Sequence, residues 1–262
     1  MRIGFLQFEV KQSSIRENLE TVYQHLHQER FDLVVLPELF TSGYLFDSYR
    51  ELALVSEVID VSNTVKFLQD LASKTGGTIL GTIPEKDGGK IYNTAIVVNS
   101  SGLVGIQRKF HLTPYEQELF LPGDSMYTFN IADAVVGVAT CFDVWFPEYS
   151  RLLTENGADI ICHPSAFGGT DTIDMIRIRA LENRVFSILS NQTGIQISNK
   201  MKAKFRGESR IYNPSGQLLH TAEKGDALHF EEIDIKQARD KKSILSNDFA
   251  QEWRRYNISL NQ

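Results

Sequence analysis

Val135–Thr140 (Val-Val-Gly-Val-Ala-Thr) runs directly into Cys141–Glu148 (Cys-Phe-Asp-Val-Trp-Phe-Pro-Glu). The first six residues read as a buried strand. Pro147-Glu148 reads as the first turn of a helix, the place where a missing N–H does no harm. Cys141 therefore stands on a strand-to-helix elbow. An elbow of this kind aims the sulfur into a cleft and leaves backbone N–H groups without intrahelical acceptors, facing any anion that forms there. Taken alone, a cysteine beside valines is a small buried hydrophobe. What gives it chemistry is the set of polar residues at other strand ends.

Outward from the elbow, β-rich runs alternate with amphipathic helical ones, the pattern of layered α/β architecture. Toward the C-terminus, Pro147 to Glu155 reads as a helix and Asp159 to His163 as a strand stopped by Pro164. A helix over Ile173 to Arg184 and a strand over Val185 to Ser190 follow, then three strands, Ser209 to Tyr212, Gln217 to Thr221 and Ala227 to Ile233. Toward the N-terminus, Ile3 to Phe8 is a strand and Ser14 caps a helix through Leu26. Asp32 to Leu36 is a buried strand stopped by Pro37, and a helix starts near Ser62 and ends at Gly76-Gly77. Thr78 to Ile83 and Asn93 to Val98 are joined by the turn-rich Lys86–Gly89, and Leu103 to Arg108 returns as a further strand. Two halves of similar rhythm imply two sheets face to face with helices outside them, in one domain spanning residues 1–262.

Composition narrows the function. Of 262 residues, 42% are hydrophobic and 23% charged, an ordinary globular profile, and the net charge of −6 argues against nucleic acid or an anionic membrane as partner. The basic cluster Lys200–Arg206 reads as a solvated loop. No run reaches the apolar length of a membrane span and the first residues lack a signal-peptide core, so the expected location is the cytoplasm. The two cysteines, Cys141 and Cys162, lack zinc-site spacing, and the six histidines are scattered. No metal and no cofactor is expected.

Two more polar residues stand where strands end. Glu38 follows the apolar run through Pro37, and Lys109 follows the strand ending at Arg108. Open α/β sheets place ligand sites at the carboxyl ends of their strands. A carboxylate, an ammonium and a thiol converging there would form a reactive site.

The set Leu36-Pro37-Glu38, Arg108-Lys109-Phe-His-Leu112 and Cys141-Phe-Asp143 through Phe146-Pro-Glu148 resembles the nitrilase, or carbon-nitrogen hydrolase, superfamily with its Glu-Lys-Cys triad. Further matches run along the chain: Thr41–Tyr44, Tyr92–Thr94, Pro122–Asp124, Arg179–Arg184, Asn191–Gly194 and Asn213–Gly216. The resemblance implies a four-layer αββα sandwich with two facing mixed sheets. It also implies pairing into a homodimer or higher homo-oligomer, with the tail from Asn247 through Trp253 to Tyr256 able to cross between subunits.

The resemblance further implies hydrolysis of a small amide by water. Cys141 would attack the carbonyl, Glu38 would act as base, and Lys109 with the backbone N–H of Phe142 would hold the oxyanion. A thioester would follow, with release of ammonia or an amine. The family carries a second glutamate after the lysine; Glu116 and Glu118 both qualify, and the interval to Pro122-Gly123 favours Glu116. Tyr44, Trp145 and Phe167 are candidates for lining an apolar pocket. Trp145 stands where many amidases of carboxylate-bearing substrates have arginine, and Phe142 where true nitrilases have tryptophan. An amide is thus expected over a nitrile. An N-carbamoyl amine amidohydrolase and a stand-alone glutaminase that supplies ammonia are the alternatives.

Overall fold

In the computed structural model, residues 1–242 and 251–255 are described. The first half runs β1 (Arg2–Gln7), α1 (Ile15–Leu26), β2 (Leu33–Val35), α2 (Tyr49–Val55), α3 (Asn63–Thr75), β3 (Thr78–Asp87), β4 (Lys90–Asn99), β5 (Gly102–Arg108) and the one-turn α4 (Pro114–Gln117). The second half continues with β6 (Thr128–Ile131), β7 (Ala134–Val138), α5 (Pro147–Glu155), β8 (Ile160–Ser165), α6 (Asp171–Asn183) and β9 (Phe186–Asn191). It closes with β10 (Thr193–Ile197), β11 (Lys202–Arg206), β12 (Arg210–Tyr212), β13 (Leu218–Thr221), β14 (Ala227–Glu232) and α7 (Lys236–Arg239).

Two six-stranded sheets have the orders β14-β1-β2-β3-β4-β5 and β13-β12-β9-β8-β7-β6. Each has three parallel central strands, β1-β2-β3 in one and β7-β8-β9 in the other, and antiparallel strands on both flanks. Strand alternation sorts the core. Ile3, Phe5, Leu33 and Val35 meet Val136, Val138, Ile160 and Ile188 between the sheets. Residues of the opposite parity, Leu6 and Val34, turn outward under Val22, Leu26, Leu68 and Leu71 of α1 and α3. On the far side, Leu153 of α5 packs against Ile161, and Ile176 of α6 against Leu189. The layers are therefore α, β, β, α, with mixed sheets facing each other.

Several local readings change. Pro164 does not stop its strand: β8 runs to Ser165, with Pro164 opposite Ser190 of β9. The Ala139 amide donates to the Cys162 carbonyl, so residues 160, 162 and 164 present their backbone polar groups toward β7. Because β7 has ended at Val138, the missing N–H of Pro164 leaves no acceptor unpaired. Lys202–Arg206 is not a loop but β11, paired antiparallel with β10 as a hairpin outside both sheets. Its alternation buries Phe205 and leaves Lys202 and Lys204 exposed, a pattern that lysine-rich composition conceals. Ser14 does not cap α1 with its side chain; Asn18 instead receives the Lys11 amide and donates to the carbonyls of Lys11 and Thr41.

Part of the tail singled out by sequence, 247–250 and Tyr256, lies outside the described residues. Within residues 251–255, Arg254 pairs with Glu155 at 3.1 Å and Trp253 lies under the Arg151 guanidinium. No helix among the described residues is long and apolar enough to cross a membrane.

Candidate active site

The cysteine elbow is built by its neighbours. After β7, Thr140 and Asp143 cap a short 3-10 turn over Cys141–Trp145 reciprocally, with the Thr140 amide donating to Asp143 Oδ2 at 3.1 Å. Cys141 takes φ = 46°, a left-handed conformation that costs a non-glycine residue energy and is held here by the surrounding bonds. The same Asp143 reaches the lysine loop, where its Oδ1 accepts from the His111 amide at 2.7 Å. One buried carboxylate thus ties the segment after Lys109 to the turn carrying Cys141.

Lys109 extends the β5 edge by one bond, its amide donating to the Asn93 carbonyl at 2.8 Å. Gly123 closes over it with its amide on the Lys109 carbonyl. A Cβ at Gly123 would stand 2.7 Å from the Arg108 carbonyl oxygen, so only glycine fits. Glu116 occupies the third position of α4, where Oε2 receives the Thr113 amide at 2.8 Å and completes a capping box. Its other oxygen accepts from Lys109 Nζ at 2.5 Å. Glu118 is exposed and its nearest cation is Lys200, at 3.8 Å. Of the two candidate glutamates, the structure brings Glu116 to the lysine.

Glu38 sits past Pro37 with its side chain wholly buried. Its Oε1 accepts from Lys109 Nζ and from Asn93 Nδ2, both at 2.7 Å, while Oε2 has no hydrogen-bond partner. Asn93 belongs to the Tyr92–Thr94 match, but no sequence signal distinguished it from a strand-interior residue. Two of the three Lys109 ammonium hydrogens are spent on Glu38 and Glu116, which leaves one for a further acceptor.

Burial sets the electrostatics. Desolvation pushes the Glu38 carboxyl up to about 7; Lys109 pulls it down, and Glu116 adds to the rise. For Lys109, burial opposes the ammonium, but the charges of Glu116 and Glu38 outweigh it and hold the pKa well above the ordinary lysine value. Burial, then the Glu38 charge, raises the Cys141 thiol well above its usual range, so the sulfur is protonated at neutral pH. The thiol lies close enough to Glu38 to act on its ionisation, and the Ala166 amide faces the sulfur. The structure therefore gathers Glu38, Lys109, Glu116 and Cys141 from four separate segments.

The three aromatic candidates are placed differently. Tyr44 faces the cluster: burial and the Glu116 charge raise its phenol, and its ring meets Phe205 edge-on at 6.0 Å. Phe167 follows Ala166 and packs with Val144 and Tyr212. Trp145 is 40% exposed, lies beside Phe142, and donates through Nε1 to Thr172 at 3.3 Å. Phe142 itself stands in the first turn after Cys141, where backbone amides lack intrahelical acceptors. Among the described residues no group of three or more His, Cys, Asp or Glu side chains could hold a metal ion.

The chain is 36% identical over 231 residues to a protein named nitrilase from Pyrococcus abyssi, covering 87% of each. It is 33% identical over 223 residues to the omega-amidase NIT3 of Saccharomyces cerevisiae, covering 77% of this chain and 74% of the relative. The crystal structure of Saccharomyces cerevisiae Nit3, described as a member of branch 10 of the nitrilase superfamily, superposes with a TM-score of 0.80 at 29% identity over 92% of this chain and 93% of that one. With residues 2–242 matching the carbon-nitrogen hydrolase family itself, the chain belongs to that family, as an enzyme of its amidase-like branch acting on amide C–N bonds.

Proposed function

We propose that the protein hydrolyses a small, uncharged amide through a thioester on Cys141. The observation that carries this reading is Glu38 Oε2, a buried carboxylate oxygen without a partner, on a group whose pKa is pushed up to about 7 beside a protonated thiol. A base poised near neutrality both accepts a proton at pH 7 and returns it readily. Because burial keeps the sulfur protonated, a preformed thiolate is not the resting state and a base is needed. Glu38 takes the thiol proton as Sγ attacks the carbonyl. The free Lys109 hydrogen and the Phe142 amide meet the oxyanion, a contribution of about 3–4 kcal/mol per donor. Glu38 then passes its proton to the departing nitrogen, the C–N bond breaks, and ammonia or an amine leaves. Water, deprotonated by the same carboxylate, adds to the thioester; the C–S bond breaks, the acid leaves, and Glu38 returns the proton to Sγ.

The preference for an uncharged substrate follows from where the cations are used. Lys109 is held by two carboxylates. Arg179, the guanidinium that reaches the elbow, donates to the carbonyls of Val144 and Trp145 and to Glu182. On the hairpin, Phe205 turns toward Tyr44 while Lys202 and Lys204 are exposed. Tyr44 and Phe167 are proposed to flank the substrate beside the sulfur, with Trp145 farther out. A homo-oligomer is part of the same reading, and Leu152, Ile178 and Leu181 stand exposed on α5 and α6; sedimentation tests it.

Ammonia release from simple aliphatic amides, N-carbamoyl amines, glutamine and aliphatic nitriles tests the function. Turnover of an aliphatic amide is expected, with an acyl adduct on the Cys141 peptide by mass spectrometry and no turnover by Cys141→Ala. Ammonia from glutamine or a carbamoyl amine alone would replace the substrate class. Activity surviving in Cys141→Ala would remove the mechanism.

A further inference from the structure

We infer that Gln192 and Gln196 form a hydrogen-bond relay that positions the Glu38 carboxylate and ties it to the Tyr44 loop. Gln192 follows β9 and is fully buried, and Gln196 lies on β10. Gln192 Nε2 donates to the Glu38 carbonyl at 2.6 Å, Gln196 Nε2 donates to Gln192 Oε1 at 2.9 Å, and the Tyr44 amide donates to Gln196 Oε1 at 2.8 Å. The Leu45 amide reaches the same oxygen at 3.3 Å, and Gln196 Nε2 also donates to the Val10 carbonyl at 2.9 Å.

The ends of this chain fix its direction. A backbone N–H at Tyr44 can only donate and a backbone C=O at Glu38 can only accept, so each carboxamide between them has one orientation that satisfies both neighbours. Flipping either glutamine would set two donors or two acceptors against each other. Successive amides aligned head to tail also polarise one another.

Glu38 needs holding from outside. It stands between Pro37 and Leu39, a non-glycine residue at φ = 48°, beyond the end of β2. The Glu38 amide reaches the Ser165 carbonyl at 3.4 Å, an oxygen that also receives the Gln192 amide at 3.0 Å. The second sheet thus grips the Glu38 backbone on its N–H through Ser165 and on its C=O through Gln192. Ser165 immediately precedes Ala166, whose amide faces the sulfur, so the same grip sets the carboxylate against the thiol.

This inference rests on Glu38 serving as the base. Iodoacetamide alkylation of Cys141, read on its own peptide, tests it without a known substrate: sulfur displaces iodide and the thiol proton leaves to the base. The titratable groups facing Glu38 are Lys109, Glu116, Cys141 and Tyr44. In the native protein the rate should rise with pH through about 7. Gln192→Met keeps the volume but has no N–H to donate. It should lower the plateau rate at least threefold and move the midpoint down by half a unit or more, as the turn relaxes toward solvent. An unchanged midpoint and plateau in folded Gln192→Met overturns the relay. If that variant fails to fold by circular dichroism, Gln196→Met decides, with the same shift expected in smaller measure and an unchanged profile overturning the proposal. Glu38→Gln is the control: a native profile in it would remove Glu38 as base, whereas an altered Glu38→Gln beside a native Gln192→Met removes the relay alone.

Discussion

The two sheets share a topology but divide the chemistry. In each, three parallel strands carry crossover helices on the outer face, yet the first sheet and its connections supply Glu38, Asn93, Lys109 and Glu116, and the second supplies Cys141 and neutral donors from Ala166 and Gln192. The charges are assembled among themselves in one half. The thiol arrives from the other across the inter-sheet core. The division teaches that the ionic balance and the proposed nucleophile are separable by mutation.

The pair Lys109→Met and Cys141→Ala should show that separation most strongly. Losing the ammonium leaves two buried carboxylates without their counter-ion, so Lys109→Met should lose at least about 10³-fold in kcat/KM and about 3–5 kcal/mol of stability by urea unfolding. Cys141→Ala should be at least as inactive on an amide substrate while its unfolding midpoint stays close to native, because only a small side chain is trimmed. Equal stability losses in the two variants would break the division. Next in size, Glu116→Gln keeps the shape but removes a charge from the bond to Lys109. A charge-assisted bond of about 1.5–3 kcal/mol corresponds to roughly 10- to 100-fold in kcat/KM.

Buried titrating groups extend the contrast to pH. In the proposed mechanism Glu38 is ionised to act as base, so kcat/KM should rise about tenfold per unit below its pKa of about 7 and level off above it. In the second sheet His163 is wholly buried, its Nδ1 3.0 Å from the Ala139 carbonyl, and desolvation lowers its pKa to about 4. A depressed histidine favours folding while it is neutral in both states. That stability is fully present above about 6.5 and is lost as pH falls toward 4, on the order of 3 kcal/mol in total. His163→Asn should flatten the acid limb of urea stability while leaving the activity limb near 7 in place. Movement of both limbs together would merge the two halves.

How much of this was legible follows the range of the interactions. Strand ends at Glu38, Lys109 and Cys141 are written in local apolar runs, and helix starts in Ser62 and Pro147, so the four layers and the convergence of those three residues could be read from the chain. The hairpin β10–β11 was hidden because its lysines look solvated until alternation is set against Phe205 and Gln196, whose burial comes from the Tyr44 loop some 150 residues away in sequence. Pro164 misled because a proline stops a strand only where its missing N–H faces a neighbour. Asn93 and Gln192 fall inside the Tyr92–Thr94 and Asn191–Gly194 matches, but nothing local in the chain assigns them a role: a strand-interior amide and a loop amide gain meaning only from the backbone and side-chain atoms of Glu38.

The smallest expected effect concerns the two glutamates that sequence left open. Glu116 and Glu118 are two residues apart on a single helical turn, about 200° around the axis, so only one can face inward. Glu116 is the third residue of the turn and is committed twice, to the Thr113 amide and to Lys109. Glu118, at the far end, meets Lys200 at 3.8 Å in solvent, a pair worth at most about 1 kcal/mol. Glu118→Gln should therefore leave kcat/KM within about twofold and the pH midpoint unmoved, against the roughly 10- to 100-fold loss in Glu116→Gln. A comparable loss in Glu118→Gln would mean that the hairpin tip, through Lys200, acts on the charge network, and the first sheet would no longer be its sole owner.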